Sequence, residues 1–104
     1  MQIDERRKYP RQTLTTEIWL GQDGIFTRAN ATLGDLSEGG AFIETSQRYS
    51  VGSLLSLRFK LPRALEFITC MIIVRNTRGG NGLGVEFLDL SPEDRQQIKT
   101  FISR

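Results

Sequence analysis

The chain contains no histidine and a single cysteine, Cys70, among its 104 residues. The first absence removes the commonest general base and metal ligand. The second excludes an internal disulfide framework and a cysteine-based zinc cluster. Cys70 has no histidine to activate it, and no carboxylate pair stands at a recognisable spacing, so the chain reads as non-enzymatic, with no catalytic and no metal-ligating residues. Long apolar runs are missing too. No window approaches the ~18 to 20 apolar residues of a membrane helix, so membrane insertion is not expected. The opening "MQIDERRKYPRQTL" has charge but no apolar stretch behind it of the kind a secretory leader needs, and with a lone cysteine this gives a cytoplasmic expectation. Charge of one sign is also scarce. Fourteen Lys and Arg face twelve Asp and Glu, for a formal net charge of +2, so no global field draws the protein onto a nucleic-acid polymer.

What the chain has is one domain's length and a succession of strand patterns. "TLTTEIWL" alternates Leu14, Ile18 and Leu20 with Thr15 and Glu17 and ends at Asp23-Gly24, a favoured hairpin pair. "FTRANATL" and the short "GAFIET" follow as the second and third strands. "GSLLSLRFKL" sets Leu55, Leu57 and Phe59 against Ser56, Arg58 and Lys60 and turns at Pro62. "EFITCMIIVR" is nearly all apolar, the pattern of a strand covered on both faces, and "GLGVEFL" gives a sixth after "RGGNG". From Ser91 the period changes. A serine cap, Pro92 at the first helical position, early acids, and Ile98, Phe101 and Ile102 at helical spacing predict a short amphipathic helix. The expected fold is all-β, a six-stranded antiparallel β-barrel over residues 13–104 with a C-terminal α-helix, since closure removes the edges an open sheet leaves unpaired.

Ahead of it, residues 1–12 read as a flexible arm. "ERRKYPR" places Arg6, Arg7, Lys8 and Arg11 in one stretch, and Pro10 keeps Tyr9 extended. In an extended chain Arg7 and Arg11 face the same way within about 13 Å of each other, a span that suits two phosphates or a phosphate and a base. A guanidinium forks onto phosphate or the O6/N7 edge of guanine and stacks on rings. In "GDLSEGGAFIE", Asp35 and Ser37 fall on one side of a regular strand with Leu36 turned into the core. A carboxylate there accepts from the N1–H and N2–H₂ edge of guanine, the hydroxyl donates or accepts, and Gly39 and Gly40 permit close approach or positive φ. An acid beside an anion site makes sense when the ligand also offers donors.

These two stretches, Arg7 and Arg11 in an RxxxR pattern and Asp35, Ser37 and Gly40 in a [D/N]xSxxG pattern, resemble the paired motifs of PilZ domains, bacterial receptors for cyclic di-GMP. The likeness runs on through "GVEFLDLSPEDRQQIKTFI", similar to the family's last strand and closing helix. The resemblance implies a barrel with the arginine arm folding over the surface that carries the second motif. It gives Arg7 and Arg11 phosphate and guanine contacts, Asp35 and Ser37 base-edge contacts, and Gly40 the backbone shape. By the same resemblance, Arg6, just before RxxxR, implies an intercalated ligand dimer. The ligand-binding set is therefore Arg6, Arg7, Arg11, Asp35, Ser37, Gly39 and Gly40, with cyclic di-GMP as ligand, no other cofactor, and a downstream protein as partner.

Simpler readings stand beside these. The arm can be a solvated basic tail, and Asp35 and Ser37 turn formers beside a bulge. Trp19 is either a partner-surface aromatic or partly buried, and Cys70 is inert core. A protein-interaction module of the same family that does not bind nucleotide, serving motility or pilus assembly, is the alternative function. Single-stranded nucleic acid is a weaker third, because Phe26, Phe42, Phe59, Phe67, Phe87 and Phe101 mostly read as core and not as a stacking platform.

Overall fold

Asp23 and Gly24 take φ of 54° and 80°, the two positive values of a type I′ turn, whose twist matches that of the strands it joins. The computed structural model describes residues 12–29 and 32–103. Among them are eight strands, β1 (Gln12–Thr15), β2 (Ile18–Gln22), β3 (Ile25–Ala29), β4 (Thr32–Leu36), β5 (Gly40–Glu44), β6 (Leu54–Phe59), β7 (Ile68–Thr77) and β8 (Gly82–Phe87), and one helix, α1 (Pro92–Ile102). All strand pairs are antiparallel, in the order β1-β4-β5-β8-β7-β6-β2-β3.

The all-β class and the C-terminal helix agree with the sequence reading, but two details change. There are eight strands rather than six, and the paired order ends at β1 and β3 instead of closing on itself. The registers give the reason. Leu14 pairs with Leu33, Thr15 with Thr32, and Ile18 to Gln22 pair with Ala29 back to Ile25, one common register along both halves. The first two long strands of the sequence are thus each divided, and the halves part to pair with different neighbours: β4 with β5, β2 with β6. This division wraps the sheet. Leu33 and Leu36 of β4 and Ile18 and Leu20 of β2 lie far apart in the strand order, yet share one core cluster.

Period-2 alternation fills that core. Leu55, Leu57 and Phe59 of β6 are buried, as the pattern predicts, and Phe59 stacks on Phe87 at 6.3 Å between centroids. Each such fully buried side chain contributes roughly 1.5–3 kcal/mol. β7 departs from expectation. Ile68, Cys70, Ile72 and Val74 are buried, but Thr69 is exposed and Met71 and Ile73 half-buried, so only one face is core. The chain after β8 continues the pairing at Met71: Leu88 N–H donates to the Met71 carbonyl at 2.9 Å and Met71 N–H to Asp89 at 2.6 Å. α1 begins as its sequence dictates. Ser91 Oγ accepts the Asp94 N–H at 3.0 Å, Pro92 opens the first turn, Glu93 and Asp94 complement the positive end of the dipole, and Ile98 and Ile102 are buried.

Candidate ligand cleft

The β4–β5 hairpin sets Asp35 apart from a regular strand. Cα partners run Thr32–Glu44, Leu33–Ile43 and Gly34–Phe42, and the turn then closes with Ser37 N–H donating to the Gly40 carbonyl at 2.9 Å. From Gly34 to Ser37 β4 advances three residues while β5 advances two, so β4 carries one residue more than its partner. The extra residue marks a β-bulge at Asp35, whose φ is +50°. Asp and Asn are the side-chain-bearing residues that visit this left-handed region most readily. The bulge explains how Leu33 and Leu36, three apart, are both fully buried. Leu36 goes into the core as expected, but Asp35 and Ser37 reach a common cleft through bulge and turn rather than through strand alternation.

Ser37 Oγ lies 3.3 Å from the Gly40 carbonyl, to which it donates, and accepts the Gly39 N–H at 3.2 Å. The hydroxyl proton is therefore committed to the turn, and toward a ligand the oxygen retains one acceptor lone pair. The turn is also tied from outside: Phe87 N–H donates to the Gly39 carbonyl at 2.9 Å and Arg95 of α1 to the Glu38 carbonyl at 3.3 Å. Neither Gly39 nor Gly40 has positive φ, correcting one of the reasons offered for them. Gly40 is needed for space: a Cβ on it would collide with the Val85 carbonyl of β8, whereas one on Gly39 would meet only Ser37 Oγ, at 4.0 Å.

A cleft of ≈ 410 Å³ opens beside this turn, within the usual range of ligand pockets. Asp35, Ser37, Gly39 and Gly40 line one side. The other side comes from β7, β8 and the turn between them, and none of its functional side chains was singled out by sequence reasoning. A register shift between Val74 and Asn76 marks a second bulge at Arg75, so bulges on both walls aim side chains at the same space. Arg75 pairs with Glu86 at 2.7 Å, the Arg78 guanidinium stacks over the Phe42 ring at 4.7 Å, and Asn76 lies against Gly84, where a Cβ would strike its side chain. The available signal was in "GLGVEF", where glycines at alternate positions leave the outer face of β8 bare. The Asp35 carboxylate, unlike that of Glu86, makes no hydrogen bond or ion pair with another described residue.

The cleft thus offers acceptors at Asp35 and Ser37, donors at Arg75 and Arg78, and a flat guanidinium backed by a ring. Its charged side chains, two acids and two arginines, cancel. Arg6, Arg7 and Arg11 lie outside the described residues, as does Tyr9. Trp19 is half-buried and donates to Glu17 at 3.0 Å. Cys70 is buried, and burial, followed by the charges of Asp89 and Asp94, pushes its thiol up to about 12. That is the behaviour of inert core.

No curated protein matches the chain. Among solved structures it resembles the inhibitor of motility MotI/DgrA of Bacillus subtilis, with TM-score 0.77 and 18% identity over 100% of this chain and 52% of that one. It also resembles the PilZ domain of YcgR from Escherichia coli, solved with c-di-GMP, with TM-score 0.69 and 18% identity over 95% of this chain and 90% of that one. The chain spans about half the length of the MotI/DgrA chain; at this identity both likenesses concern the fold. The family model described as the PilZ domain matches residues 5–104, and with the divided β-sheet, the closing helix and the motif turn already in view, the chain belongs to the PilZ domain family, a family of cyclic di-GMP receptors.

Proposed function

We propose that this domain is a cytoplasmic, non-enzymatic receptor that binds cyclic di-GMP between its arginine arm and the cleft at the β4–β5 turn, and passes the resulting change of shape to a downstream protein. One observation carries the reading. Gln12, the residue that follows Arg11, has Leu36 as its register partner, and Leu36 lies between Asp35 and Ser37. Consecutive Cα atoms are about 3.8 Å apart, so the chain length from Gln12 is short enough for Arg11 to reach the cleft, and Arg7 is only about 17 Å of chain from Gln12. The pairing of Gln12 with Leu36 supports a shared site for the two motifs, 28 positions apart in sequence from Arg7 to Asp35.

Charge supports the same division of labour. Because the charges lining the cleft cancel, a doubly anionic ligand gains its main attraction from Arg7 and Arg11, while Asp35 accepts from the guanine N1–H and N2–H₂ edge and Arg78 over Phe42 presents a planar surface for a base. The Ser37 oxygen accepts a further donor, and Gly39 leaves the rim without a side chain. Arg6 adds a guanidinium for a second, intercalated nucleotide, so the expected ratio is two per chain. Arm residues engaged by phosphates and guanines form, with the turn, a surface that the empty domain lacks, and this is what the partner reads.

Titration calorimetry with cyclic di-GMP on the wild type and on Arg11→Ala tests the proposal. A charge-assisted hydrogen bond contributes ~1.5–3 kcal/mol, so the variant should bind about 10- to 150-fold more weakly. Unchanged affinity removes Arg11 from the site. Wild type that does not bind at all favours the protein-interaction alternative.

A further inference from the structure

The ligand cleft leaves the far edge of the sheet unused. β3 is terminal in the order of paired strands, and every residue from Gln22 to Arg28 is exposed. Ile25 is 72% and Phe26 44% exposed, so the β2–β3 hairpin carries two large apolar side chains out beyond the core. Its turn fixes which backbone groups are unpaired. With Asp23 and Gly24 both at positive φ, the flanking pair Gln22 and Ile25 is the one that exchanges both its hydrogen bonds across the hairpin. Alternation then points the N–H and C=O of Phe26 and Arg28 away from β2. These two residues share a face with their Cα partners Gly21 and Trp19. The Phe26 ring lies over Gly21, where a Cβ would approach it to 2.9 Å.

We propose that this edge is a dimerisation strand, β3 pairing antiparallel with β3 of a second copy of this chain about a two-fold axis at Thr27. In that register Phe26 opposes Arg28 of the second copy, and the reverse. Both positions carry outward N–H and C=O groups, so four backbone hydrogen bonds close without any change in the hairpin. On the side-chain face each guanidinium meets an aromatic ring, a favourable cross-strand pair. The other registers are worse. An axis at Arg28 sets guanidinium against guanidinium. An axis at Phe26 puts Arg28 opposite Gly24, which belongs to the turn. A slip of one residue opposes outward groups to groups already bonded to β2. Glu17 does not hold Arg28 back, since the closest approach of the two is 3.9 Å and both are exposed. The strand is self-complementary in this register, because the two-fold axis sets Phe26 against Arg28 at both ends.

Five residues and four hydrogen bonds place this contact at the small end of specific interfaces, below about 1,200 Å², so the dimer is concentration-dependent. Sedimentation equilibrium on the wild-type chain up to about 1 mM, the Kd range of the weakest such contacts, should show a monomer–dimer equilibrium. Phe26→Lys sets lysine against Arg28 of the second copy at both ends and should leave only monomer. Combining it with Arg28→Glu restores opposite charges across the axis and should bring the dimer back. Independently of any variant, amide exchange at Phe26 and Arg28 should slow as concentration rises, while Ile25 and Thr27 amides, already bonded within the hairpin, do not change. A wild type that stays monomeric throughout, a Phe26→Lys chain that dimerises like the wild type, or exchange at Phe26 and Arg28 independent of concentration overturns the proposal.

Discussion

Among the described residues two hairpins have two-residue turns, and they are built on opposite plans. The β2–β3 turn is made by its own residues: Asp23 and Gly24 supply the positive φ values and no neighbour constrains Gly24, beside which nothing lies within 4 Å. The β4–β5 turn is made largely by its surroundings. Gly40 is dictated by the Val85 carbonyl, Asp35 by a bulge, and the turn is held by Phe87 of β8 and Arg95 of α1. A turn against which no other element packs needs only local propensity. A hairpin that forms one wall of a cleft is specified by the elements it must fit against.

The comparison is broken most sharply at the two glycines. Gly40→Ala forces a methyl group into the β8 backbone and should destabilise the domain by about 3 kcal/mol in chemical denaturation. Gly24→Ala meets only backbone strain and should cost about 1 kcal/mol, and Gly39→Ala, with space and ordinary φ, less than about 0.5 kcal/mol. Equal losses at Gly40 and Gly24 would mean that the cleft hairpin is no more constrained than the free one.

Next in size is a separation of binding from stability. Arg7→Ala should weaken cyclic di-GMP binding by about 10- to 150-fold in calorimetry while leaving the melting temperature of the ligand-free domain unchanged.

Alkaline pH tests the core between the two hairpins. The Cys70 thiol has an ordinary value of 9.0 and is pushed up to about 12 in the fold. Between those values the unfolded chain has lost the proton that the folded chain keeps. Stability from this group is therefore intact below pH 9 and falls as pH rises toward 12, by up to about 1.4 kcal/mol per unit. Cys70→Ala should flatten that part of the stability–pH curve measured by urea unfolding, and a thiol reagent at pH 8 should label the wild type only once it unfolds.

The smallest expected effect sharpens the role of the bulge. Asp35→Ala must hold a left-handed conformation and should cost about 1 kcal/mol, whereas Asp35→Asn keeps that conformation and should be near neutral in stability. Both remove the carboxylate, so both should weaken nucleotide binding. If Asn binds as tightly as Asp, the carboxylate is there for the bulge and not for the guanine edge.

What was legible in the sequence is what local periodicity encodes. Leu55, Leu57 and Phe59 alternate into the core, Asp23-Gly24 turns, and Ser91-Pro92 opens a helix, each as its residues dictate. The motif residues were singled out through resemblance to a family, but Asp35 and Ser37 were read for binding on a regular strand, without their bulge and turn. The cleft's second wall was not legible. Arg75, Asn76 and Arg78 look like the polar end of a strand until a bulge in β7 and the bare glycines of β8 turn them toward Asp35, and a one-residue register shift leaves no mark in the sequence. The division of the first two strands escaped for the same reason. Their pattern is continuous, and only pairing with β5 on one side and β6 on the other separates the halves. Phe26, read with the core aromatics, is exposed because its hairpin runs past the core.

Amide chemical-shift mapping during titration of the wild-type domain with cyclic di-GMP tests the central claim most directly. The account predicts that shifts concentrate at Asp35, Gly39, Gly40, Asn76, Arg78 and Gly84 and saturate with the arm resonances of Arg7 and Arg11, while Gly24 and Phe26 stay still. Saturable shifts confined to another face, or none at ligand concentrations of tens of micromolar, would contradict it.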